Sequence, residues 1–141
     1  MLEAAHKAGF KTGIVSTSRV THATPASFYA HVVDRDLESE IATFLVGLGP
    51  QGPSVDLALG GGACFFLPND TAGSCRTDGQ DLLKKAEEDG VKVLRGMKAL
   101  RDWHEEDEGA HSGGRVLGLF ADDVRYDCPL RSWMRLLTSP H

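Results

Sequence analysis

No apolar run in the 141 residues approaches the ~20 that a helix needs to cross a bilayer. The first residues lack an apolar stretch led by positive charge, so no secretory leader is visible within them. Cations are outnumbered, with 15 Lys and Arg against 20 Asp and Glu. The net charge of −5, with the basic residues scattered, argues against a nucleic-acid footprint, which is normally a basic patch. Cysteine is scarce: three residues, with no C-x-x-C and no Cys/His zinc spacing, exclude a structural zinc finger. The glycine run Gly60-Gly61-Gly62 fits neither a dinucleotide fingerprint nor a P-loop and reads instead as close packing at a strand end. Ser16, Ser18 and Ser27 have no base or nucleophile elbow beside them, so no nucleophile is predicted in this chain.

What remains is an ordinary globular composition, 41% hydrophobic and 25% charged, at a length suited to one domain. Residues 2–8 have helical composition and Gly9 is a natural stop. Residues 11–16 form a short apolar run, hence a strand, and Leu37, Ile41, Phe44 and Leu45 recur at helical spacing over 37–46. Residues 47–53 break regular structure, and 55–59 read as a strand entering the glycine run. Thr77 or Asp78 is expected to cap a helix over 79–88, with Leu82, Leu83 and Ala86 on one face. A strand over 91–94, a helix over 97–103 and a final strand over 115–121 complete the rhythm. Between the last two, residues 104–114 are acidic and glycine-containing; Glu105, Glu106, Asp107 and Glu108 read as a solvated loop rather than a cation site. Strands alternating with helices in this way predict an α/β fold, a mainly parallel sheet flanked by helices.

Residues 13–36, GIVSTSRVTHATPASFYAHVVDRD, organise the rest. They read as a strand, a polar β-branched loop and a helix, with Thr24 as N-cap and Pro25 at the first helical position. In an open α/β sheet that succession is where ligands sit. The guanidinium of Arg35 can grip two phosphate oxygens through parallel donors, or it can serve as a surface arginine pairing with Asp34 or Asp36. The Thr24 hydroxyl is a hard oxygen and the His22 imidazole can hold a water, a combination compatible with magnesium. The plainer readings are a helix cap and an ordinary loop histidine. His31 receives no role. Cys64 and Cys75 flank a turn-rich loop and could close a small disulfide in an oxidising compartment, or stay as thiols; Cys128 has no partner in view.

The run STSRVTHATPASFYAHVVDRD resembles the corresponding segment of alkaline phosphatases of the eukaryotic, fungal type, and the similarity continues to about residue 121. Residues 122–141, ending CPLRSWMRLLTSPH, depart from that pattern as a divergent tail. The resemblance implies that 1–121 are the central part of a catalytic domain, an incomplete portion of an alkaline-phosphatase-like fold. It implies hydrolysis of phosphate monoesters through a phosphoserine, with two Zn2+ and one Mg2+. Arg35 matches the family's phosphate-binding arginine and Thr24 a position in its magnesium site. His22 matches a position that is histidine in animal-type members and aspartate in some bacterial ones, and is expected to meet the ion through water. The nucleophile and most zinc ligands would lie outside this chain, so the chain alone is expected to be inactive. A homodimeric parent in a secretory, vacuolar or cell-surface compartment is implied as well. The competing readings are a non-catalytic oxyanion-binding α/β module and a truncated gene product that does not fold stably.

Overall fold

A computed structural model describes residues 1–106 and 114–121. Four strands, β1 (Gly13–Arg19), β2 (Leu57–Gly61), β3 (Lys92–Arg95) and β4 (Val116–Leu119), form one sheet in the order β1-β2-β4-β3. Every pairing is parallel, so each connection must cross over the sheet, and the helices provide the crossovers. Helix α1 (Leu2–Lys7) precedes β1; the one-turn α2 (Ala23–Ala26) and α3 (Glu38–Val46) separate β1 from β2. A 3-10 turn (Ala63–Phe65) and α4 (Leu82–Glu88) lead to β3, and α5 (Gly96–Glu106) lies between β3 and β4.

Both faces of the sheet are covered. On one, Ile41, Phe44 and Leu45 of α3 and Leu82 and Ala86 of α4 pack with Val20, Tyr29, Ala58, Phe66 and Leu117. On the other, Leu100 of α5 packs with Leu59 and Leu94. Coverage on both faces explains why β2 and β4 read as continuous apolar runs rather than alternating ones. The expected α/β class with a mainly parallel sheet is therefore the fold observed.

Several local expectations shift. Helix α2 begins at Ala23 with His22 as its N-cap, and no side chain caps it. Thr24 is thus the second helical residue, not the cap, and Pro25 is the third. The first intrahelical bond, Ala26 N–H to His22 O at 3.0 Å, forms one residue later, so proline's missing donor still costs nothing. Helix α4 starts at Leu82, capped by Asp81, whose carboxylate accepts from the Lys84 N–H at 3.0 Å. Neither Thr77 nor Asp78 is the cap; Asp78 is bound instead by Arg76 and Gln80. Helix α5 runs through Glu106, beyond the expected end, so residues 104–106 are helical; the rest of the acidic loop, Asp107 and Glu108 included, lies outside the described residues. Cys128 and the segment 122–141 lie outside them as well. Cys64 and Cys75 are joined in a disulfide, with their Cα atoms 5.0 Å apart.

The feature that positions the site is a register shift in β1. Val15 pairs with Leu59, but the next partners are Arg19 and Gly61, so β1 uses two more residues than β2 over the same rise. Gly60 makes room for this. A Cβ there would sit 2.8 Å from Val20 Cγ1 and 3.0 Å from the carbonyl oxygens of both Ser16 and Ser18.

Candidate functional site

The chain leaves β1 at the carboxyl end of the sheet through three tightly held residues. Val20 is fully buried and its N–H donates to Gly61 O at 3.0 Å. Thr21 is fully buried, and the His22 N–H donates back to Arg19 O at 3.1 Å. From the far side, the buried Tyr29 hydroxyl donates to Val20 O at 2.9 Å. Burial, and then the nearby Glu38 carboxylate, push the Tyr29 pKa well up, so the phenol remains a donor throughout the working pH range.

His22 stands at the centre of what this anchoring presents. Its Nε2 lies 3.3 Å from an Nη2 of Arg35. A guanidinium only donates, so in this bond the imidazole nitrogen accepts and the ring proton resides on Nδ1. The Arg35 side chain is 60% exposed, and its Nε is 4.0 Å from the Asp36 carboxylate, at the outer limit of an ion pair. Most of its donors therefore face solvent. Thr24 is exposed, and no hydrogen bond engages its hydroxyl among the described residues; only its carbonyl is used, by the Ser27 hydroxyl at 2.8 Å.

Thr24 and Arg35 open onto different cavities. His22 and Thr24 line a groove of about 590 Å³ that runs along β1 past Ile14, Ser16 and Ser18. Arg35 lines a cavity of about 180 Å³ with Ala23, Ala26, Ala30 and Ile41. One turn of α2 divides them, because residues 23 and 26 face one way and residues 24 and 25 the other. Thr24 and Arg35 therefore line two cavities rather than one, with His22 lining the first and contacting Arg35 in the second. His31 makes contacts away from this point, 3.0 Å from Glu3 and edge-on to Phe44.

The family model for alkaline phosphatase matches residues 1–129. The chain belongs to the alkaline phosphatase family. It is 50% identical over 128 residues to an alkaline phosphatase of Schizosaccharomyces pombe, covering 90% of this chain and 23% of that protein. It is 41% identical over 129 residues to the repressible alkaline phosphatase of Saccharomyces cerevisiae, covering 87% and 23%. The Thermus thermophilus alkaline phosphatase superposes with a TM-score of 0.68 at 36% identity, over 92% of this chain and 24% of that one. A variant of the alkaline phosphatase from the Antarctic bacterium TAB5, with magnesium bound in its M3 site, matches with a TM-score of 0.64 at 30% identity, over 87% and 30%. The chain thus spans about a quarter of the length of most of these relatives.

For a segment of the alkaline phosphatase family, the donor set at this site is partial. Thr24 supplies one hard, uncommitted oxygen; the Nε2 of His22 is already turned to Arg35, so it cannot bind an ion directly without giving up that bond. Among the described residues, no group of three or more His, Cys, Asp or Glu is placed to hold a metal ion. Magnesium fits here only as an ion whose remaining ligands come from elsewhere.

Three further charged residues near the site carry no local sequence signal. Arg19 and Glu38 form a two-bond ion pair, at 2.9 and 2.8 Å. Arg76, with a side chain only 1% exposed, donates to Ser39 O at 2.7 Å and Phe65 O at 2.9 Å and is neutralised by Asp78. Nothing in the local sequence singles out these charges, because their partners lie up to 37 residues away.

Proposed function

We propose that this segment supplies the phosphate-gripping part of an alkaline phosphatase site, acting in metal-dependent hydrolysis of phosphate monoesters. Arg35 is the clamp. Its guanidinium is solvent-facing, held at one end by His22, and lies within the family-matched segment; that combination is the observation carrying the reading. A phosphoryl group in transfer spreads charge over three oxygens, and two parallel N–H donors stabilise that charge without losing a proton. In this reading His22 orients the guanidinium and meets magnesium through water, while Thr24 offers a direct oxygen ligand. A relative's magnesium-bound M3 site supports an ion in this family. When bound, the metal ions would supply charge neutralisation and an activated oxygen nucleophile. In this reading the serine, most of the zinc ligands and the remaining magnesium ligands come from outside this chain, and the chain alone is expected not to turn over. The Cys64–Cys75 disulfide supports a secretory, vacuolar or cell-surface setting, and a homodimer is proposed for the full-length parent.

Equilibrium dialysis of inorganic phosphate against the purified chain, with magnesium present, tests the clamp. Arg35→Ala should weaken binding at least tenfold, and EDTA should weaken it in the wild type. Equal retention by Arg35→Ala would remove the clamp from the reading. Arg35-dependent binding that survives EDTA favours the oxyanion-binding module instead. A p-nitrophenyl phosphate assay with zinc and magnesium should show no turnover; hydrolysis by the chain itself would overturn the claim that the nucleophile lies elsewhere.

A further inference from the structure

Adjoining His22 and Arg35 in the chain is a largely buried polar cluster, Arg19, Thr21 and Glu38, whose residues line neither cavity. Glu38, the first residue of α3, is 8% exposed. Its Oε2 accepts from Arg19 Nε at 2.9 Å and from the Thr21 hydroxyl at 2.6 Å, and its Oε1 accepts from Arg19 Nη2 at 2.8 Å. The Arg19 guanidinium also lies over the Phe65 ring, 6.0 Å from its centroid. The charges are paired bidentately and hydrogen-bonded, the arrangement that makes burial of an ion pair tolerable.

The place of this cluster in the chain is informative. Thr21 immediately precedes His22, and Glu38 follows Arg35 by three residues. One carboxylate therefore ties together the two segments from which the contacting side chains project. Arg35 cannot secure itself. Its contacts are one 3.3 Å bond and one 4.0 Å approach, set against the rotamer freedom of a long exposed side chain. Its position must be inherited from the backbone on either side.

We propose that Glu38 is a positioning residue which, through Arg19 and Thr21, fixes the loop at 20–22 against the linker at 31–37 and so holds the Arg35 guanidinium on the His22 ring. The meaning of this for phosphate rests on the reading of Arg35 as a clamp; the positioning itself does not.

Nuclear magnetic resonance of the full chain reads the positioning without any ligand. In wild type, the Arg35 side-chain Nε should be ordered and show a cross-peak to the His22 ring. Glu38→Gln removes the charge and one acceptor, and Thr21→Val removes only the hydroxyl. Both should lose that cross-peak and the Nε order while the amides of β2 and β4 keep their shifts. Leu83→Ala, in the core away from the site, serves as the control: it should lower the melting temperature at least as much and keep the cross-peak. Persistence of the contact in Glu38→Gln and Thr21→Val, its absence in wild type, or equal loss in Leu83→Ala each overturns the proposal. If Glu38→Gln does not fold, Thr21→Val decides. A parallel titration with inorganic phosphate should show at least tenfold weaker binding in Glu38→Gln. No binding by wild type would remove the clamp reading while the cross-peak still decides this one.

Discussion

Gly60 shows how a single residue sets the geometry of the site. Its missing side chain is what lets β1 gain two residues against β2, since a Cβ would press on Val20 and on two carbonyl oxygens. Gly60→Ala should cost about 1–3 kcal/mol, the usual range for overpacking a close-fitted position. Urea unfolding measures it, and an unchanged midpoint would mean that the bulge has another cause. Arg76 and Asp78 give a second residue-scale expectation. The Arg76 hydrogen bonds hold the Asp78 carboxyl below the usual carboxylate range, with burial opposing them more weakly. A depressed folded-state pKa contributes stability that is present above the unfolded value, about 3.9, and is lost as pH falls through the folded one. Asp78→Asn should therefore be less stable near neutrality and should lose less stability than wild type below about pH 4. Thermal melts from pH 7 to pH 2 would show the two curves converging; parallel curves would refute the linkage. The glycine run was legible in the sequence as close packing, whereas the Arg76 pair was not, because burial of an arginine depends on acceptors contributed by distant turns.

Elements were legible where periodicity and stop residues agreed. Helix α3 carries its apolar spacing and ends on Gly47, whose φ of 91° suits a residue without a Cβ. Helix α2 was legible as an element but misread in register, because a one-turn helix offers too few positions for a pattern to fix its start. Side-chain chemistry favours Thr24 as its cap, yet His22 takes that place through backbone geometry alone. At α4 three candidate caps stand within five residues, and the choice fell to Asp81 once Arg76 had engaged Asp78. The loop closed by Cys64 and Cys75 spans a sequence separation of 11. Closure of a loop that short restricts the unfolded chain by about 2–3 kcal/mol in the chain-entropy account. The double variant Cys64→Ser/Cys75→Ser should lose stability of that order in urea. A loss well under 1 kcal/mol would mean that the 64–75 loop is already ordered in the unfolded chain.

Across the whole molecule, stability should fall away from the centre of the sheet. Strands β2 and β4 are flanked on both sides and buried, while β1 has a strand partner on one side only among the described residues, with Val15 53% exposed. Hydrogen–deuterium exchange should find the amides of residues 58–60 and 117–119 slowest and the outward amides of β1 much faster. Protection of β1 equal to that of β2 would show that another strand covers its edge. By itself the sequence determined the strand–helix rhythm, the parallel sheet and the family, because these follow from local periodicity and from a long run of matching residues. Only the tertiary structure decided that Thr24 and Arg35 face separate cavities with His22 between them. It also decided that a buried carboxylate at position 38 joins the two segments bearing the His22–Arg35 contact. The physical reason is distance along the chain: the Glu38 bonds reach back 17 and 19 residues, and no local pattern encodes which charge will meet which once the sheet has folded.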